Sequence, residues 1–303
     1  MEQAYLAIEG GGSRARAVLE HRGRLSARIE STGINPWDIG FAAFPRRLSG
    51  LVAPLLAGLP RQPVALSACC AVAGLGSEFL SSWSAPRIKR ILSRYGAVRR
   101  LEVMSDLGAL VETCLAERDG LVLIAGTGSV CVGVRHAGAG ARSVQVGGRG
   151  GALDRGSGYW IGLKVLGHAR RVRDRSAPAS RTLMLVARRL GVPPQEVAAD
   201  LARRRRDEIA GLVPDVLEAY LEGDRFARTV VEQAVLHLAH AAAEAKTRGK
   251  LRGRFEIHLA GGLFASPIVW DLFRRRVRRA APLATVRRAP EPLLGALRIA
   301  KSL

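Results

Sequence analysis

The feature that most limits the fold of this chain is a unit that occurs twice: an apolar stretch runs into a glycine-rich turn and leaves it as another apolar stretch. In the first copy residues 4–8 enter Glu9-Gly10-Gly11-Gly12-Ser13 and residues 15–19 lead out. In the second, residues 121–125 enter Gly126-Thr127-Gly128-Ser129 and residues 130–135 lead out. Short aliphatic runs on both sides of a tight glycine turn predict β-hairpins, and glycine lets the turn backbone come close to a ligand. The repetition predicts an internal duplication with a boundary near residue 118. At 303 residues the chain is long enough for two domains.

Each copy is followed by a mixture of strand and helix patterns. In the first half, residues 25–29 read as a third strand and 37–59 as a helix. Strands are then predicted at 64–68 and 97–103, with helices over 78–95 and 107–116. In the second half a helix starts at Tyr159, and residues 179–248 are mostly helical, punctuated by Pro193-Pro194 and Pro214. A strand over 255–259 ends at Gly261-Gly262. A helix through 279, a strand over 284–287 and a closing helix over 293–302 complete the chain. Strands and helices mixed within each half predict an α/β architecture.

Composition removes several function classes. Hydrophobic residues make up 48% and charged residues 24%, a globular balance, and the 34 glycines follow no triplet period. The four cysteines, Cys69, Cys70, Cys114 and Cys131, contain no CxxC pair. That excludes a disulfide framework, a zinc ribbon or a ferredoxin-like cluster, and predicts a reduced, cytoplasmic protein. No secretory pattern is expected at Met1-Glu2-Gln3-Ala4-Tyr5, and the apolar runs are too short to span a membrane.

The net charge of +21 rests on 42 arginines and five lysines, densest at Arg203-Arg204-Arg205-Arg206 and over residues 274–279. Aromatic residues are only 5%, and no nucleic-acid reading module is present. Solvated helix faces and steering of anionic ligands are therefore the expected roles, and nucleic-acid binding is disfavoured.

The chemistry is expected at three glycine turns that each close a strand: residues 9–13, 126–129 and 260–262. Successive backbone N–H groups in such turns make a concavity suited to phosphate oxygens, and the Ser13 and Thr127 hydroxyls add donors. None is a Walker loop, because GxxxxGK[ST] is absent. Each turn taken singly is equally a plain tight turn. Three carboxylates stand in turn or strand-end settings: Glu9, Asp106 and Asp154. Asp106 falls where a strand stops and a helix starts, so Ser105 or Asp106 is also a candidate helix cap. Asp154, before Gly156-Ser157-Gly158, has the same double reading. A carboxylate held on a rigid turn is well placed to accept a proton in either case.

Ile8 to Ser13, Ser105-Asp106, Ala125-Gly126-Thr127-Gly128-Ser129, Gly147-Gly148-Arg149-Gly150 and Asp154-Arg155-Gly156-Ser157-Gly158-Tyr159-Trp160-Ile161-Gly162 occur in this order. In that order they resemble the BadF/BadG/BcrA/BcrD ATPase family, in its N-acetylglucosamine kinase-like branch of the sugar kinase, Hsp70 and actin superfamily. The resemblance runs over residues 4–165, with weaker support from Gly261-Gly262 and the C-terminal helix.

It implies two ribonuclease H-like, actin-like ATPase domains with a nucleotide cleft between them: residues 1–117, with the helix at about 290–303 packing back, and residues 118–289. It implies ATP and Mg2+ as cofactors. Gly10, Gly11, Gly12 and Ser13 would form the first phosphate loop, and Gly126, Thr127, Gly128 and Ser129 the second. Gly261 and Gly262 would lie at the adenosine. Asp106 would be the catalytic base, Asn35, Asp106 and Asp154 would contact the sugar, and Glu9 would meet magnesium through water.

The implied activity is ATP-dependent phosphorylation of an amino sugar or related hexose, with sugar and ATP as small-molecule partners and room for a homodimer. The alternative is a non-catalytic or weakly active nucleotide- or sugar-binding regulatory homologue. A further alternative is an arginine-based nucleic-acid binder.

The chain departs from the family pattern at three places. Glu9 stands where the family has Asp, Arg155 where it has Glu, and Arg149 where it has Trp. The last two bring positive charge toward the expected sugar position, which suits an acidic or phosphorylated sugar.

Overall fold

Residues 4–8 are apolar throughout, and in the computed structural model, which describes residues 2–60, 64–76, 78–137 and 140–303, they form the middle of strand β1 (Glu2–Gly10). Met1, the first residue of the segment read for a secretory signal, lies outside the described residues. The chain divides into two compact units, Met1–Ala116 with Ala289–Leu303, and Glu117–Arg288.

In the first unit β1 pairs antiparallel with β2 (Arg14–His21), and β2 continues to two short strands, β3 (Arg24–Leu25) and β4 (Ile29–Thr32). On its other side β1 pairs parallel with β5 (Val64–Val72), which pairs parallel with β6 (Ala97–Met104). The six strands make one mixed sheet in the order β3-β2-β1-β5-β6, with β4 also on β2. Both faces of its centre are covered. Ala4, Leu6 and Ile8 point into a core completed by α2 (Phe44–Leu56) and α3 (Glu78–Leu92), through Phe44, Leu48, Leu51 and Ile88. Ala7, between them in the alternation, points the other way, toward α4 (Asp106–Leu115) and α12 (Pro292–Ser302) with Ala109, Leu293, Ala296 and Leu297. A strand buried on both faces reads as a continuous apolar run, which is why β1 is plain in the sequence.

The second unit repeats the arrangement. Strand β7 (Gly120–Ala125) pairs antiparallel with β8 (Ser129–Ala137), which pairs with β9 (Gly140–Gly147). On its other side β7 pairs parallel with β10 (Phe255–Ala260), and β10 pairs parallel with β11 (Ala284–Arg288). The order is β11-β10-β7-β8-β9. Helices α5 (Gly158–Arg173), α6 (Arg181–Leu190), α7 (Val197–Leu201), α8 (Arg206–Ala210), α9 (Val213–Leu221), α10 (Arg225–Arg248) and α11 (Pro267–Ala280) complete the unit. Its core joins Leu121, Leu123 and Ala125 of β7 to Val231, Val235 and Leu238 of the 24-residue α10. Two mixed sheets built on one plan, each with helices, are the α/β architecture of the actin-like ATPase fold.

Two predicted elements differ, and one strand is additional. The helix expected over 37–59 is two helices, α1 (Pro36–Ile39) and α2, because Gly40 takes φ +85° and ends the first. The third strand expected at 25–29 divides into β3 and β4, each paired with a different stretch of β2. Strand β9 has no counterpart in the sequence reading: its residues are largely exposed and carry no apolar alternation.

The C-terminal helix depends on a glycine. A Cβ built on Gly295 of α12 would stand 1.8 Å from Thr113 Oγ1 and 2.9 Å from Thr113 Cβ on α4. An alanine in a helix interior ordinarily gains about 1 kcal/mol over glycine, but here it drives two helices apart. Overpacking of this kind costs about 1–3 kcal/mol, so Gly295→Ala is expected to lower the unfolding midpoint, as calorimetry would record.

None of the four cysteines is in a disulfide, and burial pushes the Cys69 and Cys131 thiols up to about 12. Thiols held so high stay protonated and unreactive at neutral pH. No helix among the described residues is long and apolar enough to cross a membrane.

Candidate functional site

In the first unit the parallel strands β1, β5 and β6 end at one edge, with Glu9 beside Ala71 and Ala71 beside Met104. The carboxyl ends of parallel strands are where open α/β sheets bind ligands. Three predicted groups gather there. Gly10 ends β1, and Gly11-Gly12-Ser13 turns into β2, closed by the Gly11 N–H donating to the Arg14 carbonyl at 2.8 Å. Residues 33–35 lie on this turn. The N–H groups of Ile34 and Asn35 donate to the Gly11 carbonyl, and a Cβ on Gly33 would stand 2.0 Å from the Gly12 oxygen. Gly10 is as confined, because its Cβ would meet Ile34 Cγ1 at 2.4 Å.

Asn35 caps α1. Its Oδ1 accepts from the Trp37 N–H at 3.1 Å, and its Nδ2 donates to Asp38 Oδ2 at 2.8 Å. That Asp38 oxygen lies 2.8 Å from the Cβ position of Gly12, so a carboxylate stands directly against the glycine turn. Asp38 is absent from the sequence reading.

Asp106 opens α4. Ser105 is the cap, its Oγ accepting from the Gly108 N–H at 2.9 Å, while Asp106 Oδ1 accepts from the Leu107 N–H at 2.8 Å. Burial pushes the Asp106 carboxyl up to about 6, the Leu107 N–H opposes this, and the negative charge of Glu9 raises it further. A carboxyl poised near neutrality at a strand end is the arrangement a general base needs.

Glu9 is engaged. Its Oε2 receives two donors of the Arg16 guanidinium, Nε at 2.8 Å and Nη2, and Arg16 Nη1 donates to Glu291 at 2.7 Å. Glu291 in turn accepts from Arg28 at 2.6 Å. Arg16 is therefore committed to two carboxylates.

In the second unit the turn 126–128 closes through the Gly126 N–H donating to the Gly128 carbonyl at 2.9 Å. Helix α5 starts on it: the Gly158 and Tyr159 N–H groups donate to the carbonyls of Gly126 and Thr127. Ser129 Oγ donates to the Arg155 carbonyl at 3.0 Å. Asp154 is almost fully buried. Its Oδ1 accepts from the N–H groups of Arg149 and Gly150 at 2.9 and 3.1 Å, and its Oδ2 lies 2.8 Å from the Cβ position of Gly128. This clamps a loop in which Gly147, Gly148, Gly150 and Gly151 all take positive φ. Gly261, at φ +95°, packs on the end of β7, where its Cβ would meet the Ala125 oxygen at 2.3 Å, whereas Gly262 faces open space.

The second unit thus brings Gly126, Thr127, Gly128, Ser129, Asp154 and Gly261 together, with Gly262 adjoining. The first brings together Glu9, the turn 10–13, Asn35 and Asp106. Both units use one device: a carboxylate 26 residues beyond the turn glycine, Asp38 for Gly12 and Asp154 for Gly128, stands against it.

Magnesium takes hard oxygen donors and keeps most of its waters. Among the described residues no group of three or more His, Cys, Asp or Glu side chains gathers as a metal cage. Glu9, the carboxylate expected to meet magnesium through water, has its Oε2 engaged by the Arg16 guanidinium.

The BadF/BadG/BcrA/BcrD ATPase family model matches residues 8–300. An N-acetylmuramic acid/N-acetylglucosamine kinase from Clostridium acetobutylicum is 26% identical over 240 residues, which is 77% of this chain and 76% of that one. Among solved structures, a protein described as a candidate N-acetylglucosamine kinase from Chromobacterium violaceum superposes with a TM-score of 0.77 at 20% identity, covering 98% of each chain. A similarly described protein from Porphyromonas gingivalis gives 0.67 at 16%, covering 97% of each.

Proposed function

We propose that this chain, which belongs to the BadF/BadG/BcrA/BcrD ATPase family, is an ATP-dependent sugar kinase that phosphorylates a hydroxyl of an amino sugar or related hexose. The observation that carries this reading is the Asp106 carboxyl, pushed up to about 6 at the ligand-binding edge of a sheet that also presents a glycine turn and Asn35. Phosphoryl transfer asks the protein mainly to position its reactants and stabilise charge. Asp106 takes the proton of the attacking hydroxyl. Asn35 and Asp154 orient the sugar, and the turns 10–13 and 126–129 receive phosphate oxygens on backbone N–H groups. Gly261 packs the turn onto β7, and Gly262, which faces open space, leaves room for the adenosine. Glu9 is the residue that would hold a magnesium ion through water, and such an ion would supply neutralisation of the phosphate charge. The named activity of the Clostridium acetobutylicum relative supports the same acceptor class, and a cytoplasmic location is part of this proposal.

One observation favours a second reading. The pairing of Glu9 with Arg16 draws charge away from a magnesium ion, which suits a binding protein with little turnover. A coupled ADP-release screen over glucosamine, N-acetylglucosamine, glucose, muramic acid derivatives and no sugar separates the two. Sugar-stimulated release is expected. Nucleotide binding with no stimulation by any sugar replaces the kinase by the binder.

A further inference from the structure

Two carboxylates stand at the first glycine turn, and their surroundings leave them in opposite states. Glu9 Oε2 takes two donors of the Arg16 guanidinium, so much of its charge is answered in place. Asp38 has no such partner. Its Oδ2 lies 2.8 Å from the Cβ position of Gly12 and accepts from Asn35 Nδ2 at 2.8 Å, while its backbone N–H donates to the Asn35 carbonyl at 3.0 Å. Both of these partners are neutral. Among the described residues no cationic side chain forms an ion pair with Asp38, and Arg14, which follows the turn, is exposed and makes none either.

The counterpart in the second unit marks the difference. Asp154 stands at the same distance from Gly128, yet it is almost fully buried and its Oδ1 is spent on the N–H groups of Arg149 and Gly150. Asp38 is exposed and spends nothing on a loop of its own. Backbone N–H groups in a glycine turn attract phosphate oxygens, and a carboxylate set against the same turn repels them. The two effects oppose each other unless a cation comes with the anion. The hydrogen bond from Asn35 holds the carboxylate there without neutralising it, and only glycine at position 12 admits it so close.

We propose that Asp38 makes the first glycine turn selective for the metal-bound form of a nucleoside phosphate over the free anion. This rests on the reading of residues 10–13 as a phosphate loop and names the form of ligand that the loop takes. Asp38 thereby returns to the turn the negative charge that Arg16 takes from Glu9.

Calorimetric titrations with ADP, in EDTA and with excess Mg2+, test this in wild type, Asp38→Asn, Asp38→Ala and Glu112→Gln. The readout is the ratio of the two affinities, which needs no turnover. Asparagine keeps the side chain's shape and an oxygen for Asn35 Nδ2, and it removes the charge. Glu112→Gln removes a charge from an exposed position on α4 and controls for the net charge. Asp38→Asn is expected to tighten metal-free ADP by about fivefold, the scale of one unit charge at close range in partly exposed surroundings. It should leave ADP with Mg2+ unchanged or weaker, so that the metal preference falls. Asp38→Ala is expected to lower the preference equally and, by releasing Asn35, to weaken binding of N-acetylglucosamine, which Asp38→Asn keeps. Rising salt should shrink the wild-type preference. The same preference in wild type and Asp38→Asn overturns the proposal, as does an equal gain in both conditions or an equal effect of Glu112→Gln. A lowered preference without sugar-stimulated ADP release in wild type refutes the kinase reading and leaves the selectivity standing. No ADP binding in either condition removes both.

Discussion

Asp106→Asn is expected to lower sugar phosphorylation by about 100-fold or more, the scale for losing a general base, while nucleotide binding and the unfolding midpoint stay near wild type. Asparagine keeps the side chain's shape, and its Oδ1 can still accept the Leu107 N–H that Asp106 accepts now. The helix keeps its cap, because that is Ser105. What is lost is the ability to take a proton. Turnover within a few-fold of wild type removes Asp106 from the mechanism.

The pH dependence tests the same group independently. The carboxyl is pushed up to about 6 chiefly by burial, and only its deprotonated form accepts a proton. Activity should therefore be on a plateau above about pH 7 and fall tenfold per unit below about 6. The charge of Glu9 contributes to the rise, so Glu9→Gln should move the acid limb to lower pH, and the Arg16 guanidinium it releases pulls in the same direction. An acid limb that persists unchanged in Asp106→Asn belongs to another group.

Much of this site is visible in the sequence because strands with two buried faces leave long apolar runs. Strands β1, β5, β7 and β10 announce themselves, and the turns that close β1, β7 and β10 follow from glycine spacing. Strand β9 does not, because an exposed edge strand has no core to demand apolar residues. Pairings made by register are harder to see, although some follow from the turn. Once Gly10 faces Ala15 across the hairpin, Glu9 must face Arg16, and the ion pair that occupies Glu9 was open to that reasoning. Asp38 had a signal too. Aligning the halves beyond their glycine turns sets it opposite Asp154, each 26 residues after its glycine.

The closest approach of a glycine to backbone atoms in the first unit predicts the other large effect. Gly33 enters the sequence reading only as the first residue of Gly33-Ile34-Asn35-Pro36-Trp37, the segment carrying Asn35, yet a Cβ there would stand 2.0 Å from the Gly12 oxygen, 2.4 Å from the Gly12 carbonyl carbon and 2.6 Å from the Gly11 oxygen. All three are backbone atoms, so no side-chain rotation relieves the overlap. Either the turn 11–13 or the segment carrying Asn35 must move. The N–H groups of Ile34 and Asn35 hold both together through the Gly11 carbonyl, so the strain reaches the proposed phosphate loop and the proposed sugar contact at once. Gly33→Ala is expected to destabilise the protein by about 3 kcal/mol, the upper end for overpacking, and to weaken both nucleotide and sugar binding about tenfold or more, since a 1 Å misplacement at such a site costs up to about 100-fold. Gly50→Ala is the control. It lies within α2 with nothing within 4 Å of its Cβ position, so it should be neutral or stabilising by up to about 1 kcal/mol. Calorimetry of the two variants with titrations of ATP and of the sugar reads the outcome. If Gly33→Ala keeps wild-type affinity for both ligands, the turn 11–13 is not where they bind.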